Sequence, residues 1–244
     1  MPVTAPDKPV AVITGAGRGI GQAVAIELAL AGYRLCLAAR TREQLETTRT
    51  LSGLAPAESL IVLLDLAETE APDALIDTAL GLYGRLDVLV NNAGWAPPRR
   101  LLTKFSEADQ DRILAVNLRA PVALTRLAAA QMLKQGGGAI INVASTAGLR
   151  SPAMEAIYAA AKAGLIAFSR ACFNEFREGG VRISVVIPGL VDTGFIPPNK
   201  HLNRALMLQP ADVARAIRQI LATPSETCPV EIVLEPARNP ERAR

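Results

Sequence analysis

The sequence predicts a single open α/β domain: a doubly wound parallel sheet of seven strands with helices on both faces. Three observations carry this expectation. Short β-branched and aliphatic runs alternate with longer helical patterns from end to end, the mark of successive strand–helix–strand units. The composition is 50% hydrophobic but only 4% aromatic, which suits near-continuous aliphatic strands buried on both faces. A glycine-rich segment also stands where the first strand turns into the first helix. At 244 residues the chain could hold two average domains, yet single-sheet α/β domains often reach this size, so residues 1–244 read as one.

The strands follow in order. VAVIT (10–14) runs into TGAGRGIG (14–21) and a helix over 19–31. RLCLAA (34–39) precedes a helix over 42–52, and LIVLL (60–64) precedes one over 70–83. DVLV (87–90) leads through WAPPRRLL (95–102) to a long helical pattern over 106–134, which the glycines at 136–138 end. AIINVA (139–144), a helix over 155–178 and RISVVI (182–187) follow, then a helix over 210–222 and VEIVL (230–234). Right-handed crossovers turn this alternation into a doubly wound sheet. Residues 95–102 and 190–208 are longer than connectors need to be. Both emerge at carboxyl ends of strands, where open α/β sheets bind ligands, and 190–208 is read as a substrate loop. Residues 236–244 form a tail.

Composition excludes several function classes. The net charge is +3, with 26 basic against 23 acidic residues spread along the chain without a basic stripe, so no nucleic-acid partner is expected. Part of the excess is Arg238, Arg242 and Arg244, read as a solvated terminus. Cys36, Cys172 and Cys228 are widely separated and His201 is the single histidine, which supports neither a disulfide framework nor a metal site. No signal-peptide pattern opens the chain and no apolar run is expected to span a membrane. A soluble, cytoplasmic protein is the expectation.

The glycine-rich turn is the first chemical signal. Gly15, Gly17, Gly19 and Gly21 let the backbone approach a pyrophosphate, which meets the N–H groups and positive end of the following helix. Their spacing departs from the common G-x-G-x-x-G pattern. About twenty residues on, at the end of the second strand, an acid would bond the ribose 2′-hydroxyl of NAD, whereas an arginine would accept a 2′-phosphate. Here the strand ends in Arg40, and no acid lies between Arg34 and Arg42. Arg18, inside the loop, offers a second cation. NADP(H) is therefore expected over NAD(H).

The second signal is Tyr158 and Lys162, one helical turn apart, with Ser145 thirteen positions upstream. An ammonium beside a phenol favours its ionised form and fits it for acid–base work. By itself the spacing is common on helix surfaces.

Taken together the residues resemble the short-chain dehydrogenase/reductase family over nearly the whole chain. The resemblance rests on TGAGRGIG (14–21), Asp65, NNAG (91–94), Asn117 in VNL, Ser145 closing INVAS, the Tyr158/Lys162 pair and PGLVDT (188–193), in the family's order. It implies a Rossmann-type fold and a nicotinamide cofactor. The glycine loop with Arg18 and Ile20 would hold the pyrophosphate, and Asp65 with Leu66 would meet the adenine. Asn91, Ala93 and Gly94 would line the cleft. Pro188, Gly189, Val191 and Thr193 would hold the nicotinamide carboxamide. Tyr158 would carry the proton, Ser145 hold the substrate oxygen and Lys162 bind the nicotinamide ribose while lowering the phenol's pKa. Asn117 would hold a water leading to Lys162.

The implied activity is reversible hydride transfer between NADP(H) and a small or medium carbonyl or alcohol. A sensor that binds NADP without turnover, or an epimerase on the same fold, would use the same residues. Trp95, Met154, Leu190, Phe195 and Ile196 suggest an apolar substrate cavity. Arg99, Arg100 and Arg150 could meet an anion, and His201 is read as a surface residue. The C-terminal VEIVLEPARNPERAR lacks the glycine-rich ending of acyl-carrier reductases, which leaves a free small molecule as substrate. Small residues around Tyr158 suit a homodimer or homotetramer.

Overall fold

The apolar runs become strands whose alternate side chains feed two separate cores. In the computed structural model, residues 8–197 and 199–241 are described. The strands are β1 (Val10–Thr14), β2 (Arg34–Ala39), β3 (Ser59–Leu63), β4 (Val88–Asn91), β5 (Gly138–Val143), β6 (Val181–Pro188) and β7 (Glu231–Leu234). The helices are α1 (Gly19–Leu30), α2 (Arg42–Ser52), α3 (Ala71–Tyr83), α4 (Glu107–Leu114), α5 (Ala120–Gln135), α6 (Ala147–Arg150), α7 (Ala156–Phe176) and α8 (Pro210–Leu221). Ala11 and Ile13 of β1 point to the face covered by α1, α2 and α8, while Val12 points to the face covered by α3, α5 and α7. This alternation is the period of two that a strand imposes.

All seven strands are parallel, in the order β3-β2-β1-β4-β5-β6-β7. Val12 pairs with Cys36 of β2 on one side and with Leu89 of β4 on the other. The chain winds outward from β1 to β3, then returns to the opposite side of β1 as β4. That reversal opens a crevice at the carboxyl ends of β1 and β4.

Three features differ from the sequence reading. The pattern expected as one helix over 106–134 is α4 and α5 joined by a π-helical turn, Ala115–Arg119, in which Ala120 N–H bonds Ala115 O. Pro121 has no N–H to give the carbonyl four residues back, which accounts for the break in the α ladder at this place. The short helix α6 was not expected. The tail is held as far as Glu241, where Asn203 N–H donates to Pro240 O at 2.8 Å and Leu202 bridges to Glu241. Arg242 and Arg244 lie outside the described residues.

Two helical stretches, Glu107–Gln135 and Ala156–Gly179, are long and apolar enough to cross a membrane by length and composition. Here their apolar sides contribute Leu124, Ala128, Met132, Leu165, Ile166 and Cys172 to buried clusters against the sheet.

Candidate active site

The crevice is a cleft of about 880 Å³ that runs along the strand ends. Its floor is set by Thr14 and Asn92. Thr14 Oγ1 accepts from the N–H groups of Asn92 and Ala93, both at 3.0 Å, and Asn92 Nδ2 donates to Thr14 O at 2.9 Å and Gly15 O at 3.3 Å. Gly15 has φ +64°, and a Cβ there would stand 2.9 Å from both Ala93 Cα and Asn92 Nδ2. Gly15, Gly17, Arg18, Gly19 and Ile20 line the cleft beside the start of α1, whose first N–H groups have no side-chain cap. Such a terminus favours anions. Gly21 is not on the wall: a Cβ there would fall 2.2 Å from Gly15 O, so its part is to let α1 pack against the loop.

At the β2–β3 end the wall carries Arg40, Asp65, Leu66 and Arg112. Asp65 Oδ2 accepts from Arg112 at 2.6 Å, while Arg40 stands 3.9 Å from the same oxygen. Ala67 N–H donates to Asp65 Oδ1 at 3.0 Å. Desolvation alone would raise the Asp65 pKa. The hydrogen bonds from Ala67 and Arg112 and the charges of Arg112 and Arg40 outweigh it, and the net shift is downward. Arg112 also lies over the Trp95 ring, 5.4 Å from its centre, and so joins this end of the cleft to the 95–102 loop.

Midway along the cleft stand Ser145, just after β5, and Tyr158 and Lys162 on α7. Ser145 stands beside Tyr158, and its Oγ accepts from Ala147 N–H at 3.1 Å. Lys162 is buried and donates to Val143 O at 2.9 Å, with Nζ 5.8 Å from the centre of the Tyr158 ring. Burial pushes the Tyr158 phenol up to about 12, the Ser145 hydrogen bond pulling it down and the Glu155 charge adding to the rise. Burial also brings Lys162 down to about 8. The expected lowering of the phenol is thus not what this geometry gives. Both groups lose water, and the ammonium is bonded to a carbonyl rather than to the phenol.

Asn117 sits fully buried in the π turn. Its Nδ2 donates to Trp95 O at 2.6 Å and Ile113 O at 2.9 Å, and its Oδ1 accepts from Trp95 N–H at 3.3 Å. The side chain thereby ties the Trp95 loop to the helix. A Cβ on Gly94 would meet Asn117 Oδ1 at 3.2 Å and Lys162 Nζ at 4.0 Å, so these groups converge on one point.

Not every expected residue reaches the cleft. Asn91 lies inside the sheet, where Nδ2 donates to Asn142 Oδ1 at 2.8 Å and Thr125 Oγ1 at 3.2 Å. It braces β4 against its neighbours, and Asn92 takes the place at the cleft. Pro188, Gly189, Leu190, Val191, Thr193, Phe195 and Ile196 are all on the wall, with Phe195 5.9 Å from Tyr158 between ring centres. Met154, Arg100 and His201 are not. Met154 and His201 are exposed, and Arg100 pairs with Asp109 at 3.4 Å. Arg99 and Arg150 are on the wall but are paired with Glu155 and Glu235.

Sequence reasoning put the Asn91–Gly94 segment at the cleft without singling out Asn92, and it missed Arg112, Arg204 and the tail residues Glu235, Pro236, Asn239, Pro240 and Glu241. The second Asn of NNAG was a readable signal for Asn92. Nothing in the sequence marked Arg204, which binds Asp192 Oδ1 (2.6 Å), Thr193 O (2.8 Å) and Ile196 O (3.2 Å) and so holds the 190–208 loop in shape. Among the described residues no cluster of three or more His, Cys, Asp or Glu side chains could hold a metal ion.

Comparison with known proteins adds five findings. A family model described as short chain dehydrogenase matches residues 9–201. An uncharacterized oxidoreductase of Staphylococcus aureus (strain MRSA252) is 31% identical over 227 residues, 93% of this chain and 96% of that protein. One of Thermotoga maritima is 35% identical over 180 residues, 74% of this chain and 70% of that protein. Among solved structures, a metagenomic short-chain oxidoreductase in complex with NADP superposes with a TM-score of 0.82 at 33% identity, covering 94% of this chain and 98% of that one. An actinorhodin polyketide ketoreductase with NADPH gives 0.86 at 26% identity, covering 96% and 98%.

Proposed function

This chain belongs to the short-chain dehydrogenase/reductase family of oxidoreductases, and from that premise we propose that it is an NADP(H)-dependent enzyme interconverting a small or medium carbonyl compound and its alcohol. The observation that carries the reading is the convergence of Ser145, Tyr158, Lys162 and Gly94 at the middle of one cleft whose β2–β3 end carries Arg40. The cleft fits a dinucleotide. A Cβ on Gly15 would be stopped by the floor, and one on Gly19 would come 3.2 Å from Thr193 Cγ2, so both glycines keep the cradle narrow enough for backbone contact. NADP and NADPH in the two structural relatives support the same cofactor here.

In this reading the pyrophosphate meets Gly15, Gly17, Arg18, Gly19 and Ile20, and the 2′-phosphate meets Arg40, with Arg18 as a second cation. Asp65 and Leu66 flank the adenine, Ala93 and Gly94 the nicotinamide ribose, and Pro188, Gly189, Val191 and Thr193 the carboxamide. When bound, the reduced nicotinamide supplies two electrons and a hydrogen to the carbonyl carbon as hydride. Ser145 orients the carbonyl oxygen by a hydrogen bond. Tyr158 Oη gives that oxygen its proton, and an alcohol is formed. A phenol held near 12 is a proton donor at neutral pH. Lys162 holds its charge near the ribose, and Asn117 positions Trp95 and the Gly94 backbone beside it. Run backwards, the same groups oxidise an alcohol, with the Tyr158 phenolate taking the hydroxyl proton and the hydride passing to oxidised nicotinamide.

Consumption of NADPH by the purified protein across a panel of neutral ketones and aldehydes tests the activity. NADPH binding without consumption would favour a sensor, and epimerised product without net consumption would favour an isomerase. Tyr158→Phe is expected to lower kcat by about 10²–10⁴ while NADPH affinity stays within about threefold. Retention of more than about a tenth of wild-type kcat would sink the assignment. The proposal includes a soluble, cytoplasmic homodimer or homotetramer, and a monomeric mass by light scattering would count against that assembly.

A further inference from the structure

Resting on the redox reading of the cleft, we propose that its substrate is an uncharged carbonyl compound with an apolar body, and that Glu235 is the residue that keeps carboxylate-bearing analogues out. Sheet order places the substrate end. Segments after β5, β6 and β7 lie on the far side of β1 from Arg40 and Asp65, so Ser145, the 190–208 loop and the tail meet at the opposite end of the cleft.

The tail is built into this end. Gly189 N–H donates to Leu234 O at 2.8 Å, Asn203 N–H donates to Pro240 O at 2.8 Å, Leu202 bridges to Glu241, and Pro240 is buried. Glu235 and Glu241 therefore stand on one wall, and a Cβ on Gly189 would come within 2.4 Å of Glu235 Oε2, so the Glu235 carboxylate lies directly over the Gly189 backbone.

Three arginines could have received an anion, and all three are occupied. Arg100 pairs with Asp109 away from the cleft, Arg99 with Glu155, and Arg150 with Glu235. On the wall at this end Arg99 and Arg150 are each already held by a glutamate, and Glu241 adds a further carboxylate. A carboxylate entering here would lose water, meet like charge and have to displace a carboxylate already bound to its arginine. An uncharged compound meets instead the apolar surfaces of Trp95, Leu190, Phe195 and Ile196.

The test compares two aldehydes of similar shape, 4-carboxybenzaldehyde and its methyl ester, with the full chain and NADPH. The ester is expected to have kcat/KM at least about tenfold above the carboxylate's, equivalent to about 1.4 kcal/mol. Glu235→Gln frees Arg150 and should narrow that ratio at least about fivefold, whereas Arg150→Gln, which removes the cation, should not narrow it. A wild-type enzyme that uses the carboxylate as well as the ester overturns the proposal, and so does a ratio unmoved by Glu235→Gln. If neither aldehyde nor any neutral carbonyl is turned over, the redox reading fails first. The charge preference is then read from binding, since Trp95, the single tryptophan, lines the cleft. Fluorescence quenched by the ester and not by the carboxylate upholds it, and equal quenching by both overturns it.

Discussion

Replacing Arg112 with Gln should weaken discrimination between NADPH and NADH even though, in the proposed arrangement, Arg112 contacts no phosphate. Arg112 satisfies Asp65 Oδ2 at 2.6 Å, which leaves Arg40, 3.9 Å from that oxygen, free to serve the 2′-phosphate. Without Arg112, the Asp65 charge has only Arg40 nearby to balance it. Two unit charges at about 4 Å attract by about 1 kcal/mol in water and about 4 kcal/mol at an effective dielectric of about 20. The Arg40 side chain is 57% exposed, so the lower figure applies. About 1 kcal/mol corresponds to a roughly fivefold fall in the ratio of kcat/KM for NADPH to that for NADH. The assay measures both cofactors with one carbonyl substrate at fixed ionic strength. Asp65→Asn added to Arg112→Gln should return the ratio to within about twofold of wild type, because the competing charge is gone. A ratio unchanged in Arg112→Gln, or not recovered in the double variant, refutes the reasoning. Absolute rates are a poor readout here, since Arg112 also stacks on Trp95.

Three further outcomes follow from the packing and titration of the site. Gly21→Ala puts a Cβ 2.2 Å from Gly15 O; thermal unfolding should show a loss of about 1–3 kcal/mol and NADPH binding should weaken at least about tenfold. Asn117→Ala removes hydrogen bonds to Trp95 and Ile113 in a buried setting and should cost about 2–4 kcal/mol in urea unfolding. The folded protein holds Lys162 near 8 against 10.5 in the open chain, so the unfolded state binds the extra proton between those values and stability rises with pH across that window. The rise should be on the order of 2 kcal/mol between about pH 8 and pH 10, and absent in Lys162→Met. Above pH 10 the raised Tyr158 acts in the opposite sense, its folded state keeping the proton longer.

The period of two in the apolar runs, the glycines at 15, 17, 19 and 21 and the helical spacing of Tyr158 and Lys162 made the sheet, the cradle and the reacting pair legible in advance, because each depends on local backbone geometry. Strand limits shifted by a single residue where pairing with a neighbour, rather than local preference, ended the ladder. Other properties belonged to long-range contact. Asn91 and Asn92 are adjacent and chemically identical, yet the strand's alternation sends one to Asn142 inside the sheet and the other to Thr14 under the cleft. Lys162 was expected to lower the phenol next to it, but burial of both groups and a carbonyl acceptor decide the direction instead. Arg99, Arg100 and Arg150 looked equally available as anion receptors until the fold supplied Glu155 and Glu235 from distant parts of the chain, and Asp109 from the next helix. Residue types and local periodicity thus determined the architecture and the kind of chemistry. Which charges are already spent, and so what the cleft admits, depended on partners as far as 85 residues away, and proximity of that kind exists only once the chain has folded.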